Sequence, residues 1–306
     1  MASLKDIKRR IRSVKNTSQI TKAMEVVSAT KMRRSQGIAI AGRPYALAAL
    51  DILKNVAGRI AEKPSLLQRR EVKKTLLLVI TSDKGLAGAF NSNVLRLVER
   101  WMREHAGENY AVSAVGKKSL SYFTSRGILP ERAFTDFGDY VSRDQTEPLS
   151  TFLLEEYSLK AWDRVIVFYT NFRTTLKQEA KMIEALPINV TKIEETIKGI
   201  TPEHGRYAGA KPAEGLLRYR YEYKFEPSAS EVLEKLLSAL FKIQLHHIVL
   251  ESNASEHSAR MVAMKNASEN AKELIGELTI DYNKSRQAGI TRELTEITGG
   301  KEALEV

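Results

Sequence analysis

At 306 residues with 43% hydrophobic content, the chain is long enough for one or two packed cores. Its net charge of +11 predicts an acidic partner: nucleic acid, an anionic membrane face or acidic protein surfaces. Cysteine is absent, which excludes disulfides, thiolate catalysis and Cys-ligated metals, and no apolar run is long enough for a transmembrane helix.

The first residues, MASLKDIKRRIRS, lack the apolar stretch and cleavage site of a secretory signal. They are basic enough to suggest a presequence, but their apolar spacing runs unbroken into the segment that follows, so they read as the start of a helix. Ser3 and Asp6 form a capping box. Leu4, Ile7, Ile11, Val14, Ser18, Thr21, Glu25, Ser28, Met32 and Ser35 then recur at alternating steps of three and four, a heptad seam that is apolar first and small or polar later. Gly37, Gly42 and Pro44 predict a bend or interruption. Leu47, Leu50, Ile52, Leu53 and Val56 resume the helix, which ends near Gly58 to Pro64.

The middle of the chain changes period. Thr75–Thr81 reads as a buried parallel strand, followed by an amphipathic helix over about Ala89–His105. Tyr110–Val115 is a second strand, Lys117–Ser125 a helix, Thr146–Lys160 a further helix and Arg164–Thr170 a third strand. Lys177–Leu186 is read as an added strand, Glu194–Gly215 as a loop or linker, and Tyr219–Phe225 as an edge strand. Alternating β and α elements imply a small Rossmann-like, doubly wound sheet.

Ser228 and Glu231 make another capping box, and no proline occurs from there to Val306. Roughly 70 helical residues would span about 105 Å, against a radius of gyration of about 19 Å for a compact chain of this length. Such a helix must project from its own domain. It is strongly apolar from Val232 to Leu250, then small: Ala254, Ser255, Ser258, Ala259, Ala263, Ala267, Ser268 and Ala271. The N-terminal helix offers Ala23, Ser28 and Ala29 to match, so the economical arrangement pairs both chain ends. The fold class is therefore α/β with long helices: an antiparallel coiled coil of N- and C-terminal helices plus the doubly wound domain. The divisions are 1–62, 70–193, 194–227 and 228–300, the last pairing with the first.

Motifs for chemistry are sparse. Ser82–Ala89 is a glycine loop from strand to helix, but it matches neither G-x-G-x-x-G nor a P-loop, and reads as a tight turn with an exposed Asp83–Lys84 pair or as a protein-contact loop. His246 and His247 are adjacent on a helix and cannot chelate one metal together; with His257 they read as helix-surface histidines. No catalytic residue, cofactor or metal ligand is identified. The basic face of residues 5–34 has no aromatics interleaved for base stacking, which favours acidic protein surfaces over nucleic acid. Residues 282–297 keep helical spacing with few apolar anchors, as a tip inside a sleeve would.

Three motifs bring a family into view: I-x-S-V-K-N-T-x-Q-I-T-K-A-M-E-V-V-S-A-T-K-M-R near the start, S-D-K-G-L-A-G-A-F-N after the first strand, and E-H-S-A-R-M-V-A-M-K-N-A-S-E-N-A followed by Y-N-K-S-R-Q-A-G-I-T-R-E-L-T-E-I near the end. Over nearly its whole length the chain resembles the gamma subunit of F-type ATP synthase. The resemblance implies a central-stalk rotor turned by proton flow through the ring of c subunits. It drives ATP synthesis at the beta subunits and has no catalytic site of its own. It implies partners in the alpha, beta and epsilon subunits and the c-ring, and a peripheral location on the cytoplasmic face of a bacterial cell membrane. By that resemblance Arg286, Gln287 and Thr291 make a polar catch with the beta subunits, Met24 lies in the neck, and Lys84 faces the beta subunits' acidic lever segment. The family's S-D-R-G-L-C-G-G stands here with Lys84, Ala87 and Ala89. A lysine cannot make the bidentate carboxylate pairing open to arginine. The rival readings are a basic coiled-coil nucleic-acid binder and a nucleotide-binding enzyme on the α/β domain.

Overall fold

The computed structural model describes residues 4–57, 64–199, 226 and 228–304. Helix α1 spans Leu4–Ala57 and is followed by β1 (Lys74–Ile80), α2 (Phe90–Glu104), β2 (Asn109–Val115), α3 (Lys117–Thr124) and β3 (Ala133–Phe134). Then come α4 (Arg143–Ser158), β4 (Arg164–Phe172), β5 (Gln178–Leu186), α5 (Val190–Gly199) and α6 (Ala229–Leu304). Helix α6 is unbroken over 76 residues, about 114 Å at the α-helical rise. Ser228 starts it as expected: its hydroxyl oxygen accepts from the Glu231 N–H at 3.3 Å and its O–H donates to the Glu231 carboxylate at 3.1 Å.

Two expectations need correcting. Pro44 does not interrupt α1 but lies inside it. An interior proline costs an isolated helix roughly 3 kcal/mol. Here Arg43, Ala46, Ala49, Leu50 and Leu53 are all buried around it, and that packing holds the helix through. The loop expected from Glu194 starts instead as helix α5. Asn189 caps it, its side-chain oxygen accepting from the N–H groups of Thr191 and Lys192, and Ile193 is fully buried. The rest of that stretch and the expected edge strand Tyr219–Phe225 lie outside the described residues, as does Ser3 of the first capping box.

The five strands lie in the order β3-β2-β1-β4-β5, parallel except for β5, which runs antiparallel to β4. The apolar run of β1 splits by period two between the faces of the sheet. Leu77 and Val79 join Val94, Val98 and Trp101 of α2 and Phe123 of α3. Leu76, Leu78 and Ile80 join Leu149 and Leu153 of α4, Leu50 and Leu53 of α1, and Leu237, Leu240 and Phe241 of α6. A continuous apolar strand is what a sheet covered on both faces requires.

The chain divides into two compact units, residues 1–27 with 261–306, and residues 28–260. In the larger unit α1 and α6 run antiparallel: Met32 clusters with Ala254 and Phe172, the Ser35 hydroxyl donates to the Asn253 side-chain oxygen at 2.7 Å, and Gly42 lies against His247. In the smaller unit the seam is narrow and polar. Ser18 and Thr21 are buried on α1, with Met264, Ser268, Ala271 and Leu278 on α6 at steps of four, three and seven. The hydroxyls of Ser18 and Ser268 each reach the other residue's carbonyl at 3.4 Å, an approach that bulky side chains would prevent. Ala23, expected in this seam, is exposed; Ser18 and Thr21 take that role.

Gly116 joins β2 to α3 with φ +90°, and a Cβ there would lie 2.3 Å from the carbonyl oxygen of Thr81. Gly116→Ala is therefore expected to lower stability by roughly 2–4 kcal/mol, from the left-handed backbone and the clash together. Urea unfolding of the full chain measures it, and a loss below about 0.5 kcal/mol would contradict this packing.

Candidate functional site

The residues singled out from the sequence fall in both units. Arg286, Gln287 and Thr291 lie on α6 in the smaller unit, all exposed. Thr291 donates its hydroxyl to the Gln287 carbonyl at 3.0 Å, and Thr295 does the same to Thr291 at 2.9 Å. These threonines bond back onto their own helix. From Thr279 to Thr298 no residue of α6 is buried, and Ile290, Leu294 and Ile297 are exposed. Counting back along both helices from the Ser18–Ser268 contact, Leu4 comes level with Tyr282. Past that point α1 has no further described residue to set against α6, which between Asn283 and Thr298 presents apolar and cationic side chains outward. Met24 is half-buried on α1, beside Glu25, which pairs with Lys22 at 3.0 Å. Near it Ile20, Val26 and Val27 are at least half exposed.

Lys84 belongs to the larger unit. The turn from Ser82 is tied down locally: the Ser82 hydroxyl donates to the Lys84 carbonyl at 2.6 Å and the Ser82 N–H to the Asn91 side-chain oxygen at 3.0 Å. Leu86 has φ 62° and is exposed, which is unusual for a branched apolar residue. The expected Asp83–Lys84 pair is not made. Asp83 accepts from the backbone N–H of Lys117, and Lys84 reaches across to Asp139 at 3.2 Å. Asp139 also meets Lys31 of α1 at 2.7 Å, and the two ammonium groups, Lys31 first, hold its carboxyl below the usual range. Arg260 of α6 donates to the carbonyls of Gly85 and Lys84 and pairs with Glu256 at 2.7 Å. Asp139, Lys31 and Arg260 were not singled out from the sequence; the four-residue spacing of Glu256 and Arg260 on one helix was the available signal.

The crevice at the C-terminal ends of β1 and β2 is where a doubly wound sheet would hold a nucleotide. It is only about 40 Å³ here, with Asn253, Glu256 and His257 of α6 among its walls. The first N–H groups of α3 already donate to Asp83, Ser82 and Thr81, so no phosphate cradle is open at that helix end. That geometry speaks against the nucleotide-binding enzyme.

The histidines are a correction. His246, His247 and His257 are buried rather than on the helix surface, because this part of α6 has α1 on one side and the α/β layers on the other. Burial, helped by nearby arginines, pushes each ring down to about 4, so all three are neutral near pH 7. His257 donates through Nε2 to the Asp139 carbonyl and accepts at Nδ1 from Arg260. No cluster among the described residues has the makings of a metal site.

The comparisons with known proteins meet this geometry directly. A family profile described as ATP synthase matches residues 3–304. Curated proteins named ATP synthase gamma chain are similar along the full length: that of Roseiflexus castenholzii is 42% identical over 99% of both chains, and that of Pelotomaculum thermopropionicum 40% over 100% of both. The chain belongs to the ATP synthase gamma-chain family. Among solved structures, a chain from the rotor of the Euglena gracilis mitochondrial ATP synthase aligns at TM-score 0.62 and 20% identity, covering 94% of this chain and 98% of that one. A second, from the OSCP/F1/c-ring portion of the same organism's enzyme, aligns at TM-score 0.64 and 21% identity over 98% and 94%. These share the fold of this chain. No helix among the described residues is long and apolar enough to cross a membrane.

One buried group gives this gamma chain a pH signature. Glu251 of α6 is 3% exposed, and one of its carboxylate oxygens has no hydrogen-bond partner. Burial raises its pKa from 4.5 to about 8, against the opposing pull of Lys181, the Phe172 N–H, Arg173 and Arg43. The folded chain therefore holds this proton more tightly than the unfolded one. The stability so gained is fully present below about pH 4.5 and is lost as the pH rises through about 8. Glu251→Gln is expected to be more stable than the parent above pH 8, by an amount on the order of a few kcal/mol, with the gap closing toward pH 5. Paired melts across that range measure it, and a gap independent of pH would show that Glu251 is ionised in the fold.

Proposed function

We propose that this chain is the central-stalk rotor of an F-type, proton-translocating ATP synthase. Residues 1–62 and 228–300 form the shaft within the ring of alternating alpha and beta subunits; 70–193 form the α/β domain, and 194–227 the joining segment. Proton flow through the membrane sector turns the c-ring and the shaft with it, and the shaft's changing contacts drive each beta site through the states that make ATP from ADP and phosphate. This is rigid-body allostery: the chain transmits torque and regulates ATPase activity, while the chemistry stays on the beta subunits. The α/β domain meets epsilon and the c-ring, which holds the chain peripherally at the cytoplasmic face of a bacterial cell membrane.

The observation that carries this reading is the far part of α6, a continuous helix without a buried side chain from Thr279 to Thr298. An isolated helical end with so little cover is marginal in water, and a surrounding protein sleeve supplies what it lacks. Arg286, Gln287 and Thr291 sit there as the polar catch for the beta subunits. Met24 takes the neck position, where exposed Ile20, Val26 and Val27 offer apolar contact. Lys84 serves the beta subunits' acidic lever segment. Its side chain is 71% exposed, so exchanging Asp139 for a partner carboxylate costs little. The excess of lysine and arginine on α1 suits acidic protein walls.

Reconstitution with alpha and beta subunits tests the reading. Arg286→Ala is expected to weaken rotor association or torque about tenfold, the effect of losing one charged hydrogen-bonding group. Truncation after Tyr282 removes the whole catch and is expected to do more, with nucleotide binding by beta unaffected. Unchanged torque and assembly would remove these residues from the proposed role. Steeply salt-dependent retention on DNA, without alpha–beta association, would favour the nucleic-acid reading instead.

A further inference from the structure

A cleft of about 390 Å³ opens in the larger unit between α1, the segment joining β3 to α4, and α6. That volume lies within the range of small-ligand sites. No carboxylate lines it, but two guanidinium groups do, Arg34 from α1 and Arg143 from the first turn of α4. Each is held by an aromatic face rather than an acid: Arg34 stands 4.1 Å from the centre of the Tyr140 ring, and Arg143 5.7 Å from that of Tyr45. Neither makes an ion pair among the described residues. Arg143 also sits at the positive end of a 16-residue helix. The apolar wall is built by Ile38, Ile243 and Leu250.

A second observation belongs to the wall of the same space. His247 lines the cleft, is 98% buried (2% exposed), and its Nδ1 has no hydrogen-bond partner. Buried polar atoms in folded proteins are nearly always satisfied, and an orphan on a residue in the wall of a cleft is a place where a ligand or a water can complete the bonding. Two acids near the cleft are already engaged, Asp139 by Lys31 and Lys84, and Glu147 by Lys242.

We propose that this cleft binds a small organic anion, a carboxylate, sulfonate or phosphate on a compact apolar body, with Arg34 and Arg143 holding the charged group and Ile38, Ile243 and Leu250 the body. Two cations with no acid between them attract the anionic end, and the apolar wall discriminates against a bare inorganic ion. Such a ligand bridges α1 to α4, and so stiffens the attachment of the sheet domain to the helix pair within this unit. The proposal is independent of the rotor reading.

Calorimetric titration of the purified full-length chain with 1-naphthalenesulfonate tests it, beside neutral 1-naphthalenemethanol and inorganic sulfate. One saturable site is expected for the sulfonate, with both comparison probes at least about tenfold weaker. Arg34→Gln with Arg143→Gln should weaken the sulfonate by about thirtyfold or more, while Arg103→Gln on α2 leaves it unchanged. Both site arginines are exposed, and an unchanged melting temperature without ligand shows that the double variant folds; Arg34→Lys with Arg143→Lys serves if it does not, with binding expected between the two extremes. Equal affinity for the neutral alcohol, equal loss in Arg103→Gln, or no saturable binding would overturn the assignment.

Discussion

The contact between Ser18 and Ser268 sets the terms for the shaft. Two helices can lie this close only where the side chains between them are small, and each serine hydroxyl satisfies itself on the opposite backbone. Little apolar area is buried there, so the pairing contributes modest stability per residue and presents almost all of its surface outward. A thick, greasy interface would stabilise the pair more and make a wider object. A narrow, polar seam gives a slender pair whose faces remain available to other surfaces.

The larger unit obeys the opposite rule. Here α1 and α6 donate apolar faces to the same core as one side of the sheet, and the packing is strong enough to carry Pro44 inside a helix and three neutral histidines beside it. Buried polar groups gather on α6, among them Glu251, His257 and Arg260, with Glu256 half-buried beside them. Arg260 bonds to the strand-to-helix turn, His257 to the segment before α4, and Glu251 to the Phe172 backbone. These bonds fix direction where apolar packing alone would allow sliding, because a shifted helix would strand a buried charge. A part that transmits force needs that resistance.

The long helices and the strands were legible because their signals are periodic and repeated. The heptad positions Ser18, Thr21, Ser28, Met32 and Ser35 are all buried, and the apolar run of β1 marked a strand covered on both faces. What the sequence hid depends on distant partners. Ala23 looked like a seam residue because alanine is small, but it lies on the exposed side of a turn whose buried side is Thr21. The histidines looked superficial because adjacent residues on a helix diverge; here every side of that stretch is covered. Helix α5 was missed because the signal for it is one capping asparagine after a proline. The cleft beside Arg34 and Arg143 has no sequence signature at all, since its walls come from three separate segments. The motif residues Arg286, Gln287 and Thr291 were identified by family resemblance, and their chemistry alone, polar and self-bonded, would not have distinguished them from any solvated helix end.

The pairing of the chain ends can be tested without a partner subunit, and the absence of cysteine makes the test clean. In a chain carrying Ser18→Cys and Ser268→Cys, whose parent hydroxyl oxygens lie 3.5 Å apart, mild oxidation should close one intramolecular disulfide in nearly every molecule. Mass spectrometry after proteolysis would find the two helices joined. If oxidation instead gave only intermolecular species, or left both thiols free, the two termini do not run side by side and the shaft does not exist as described.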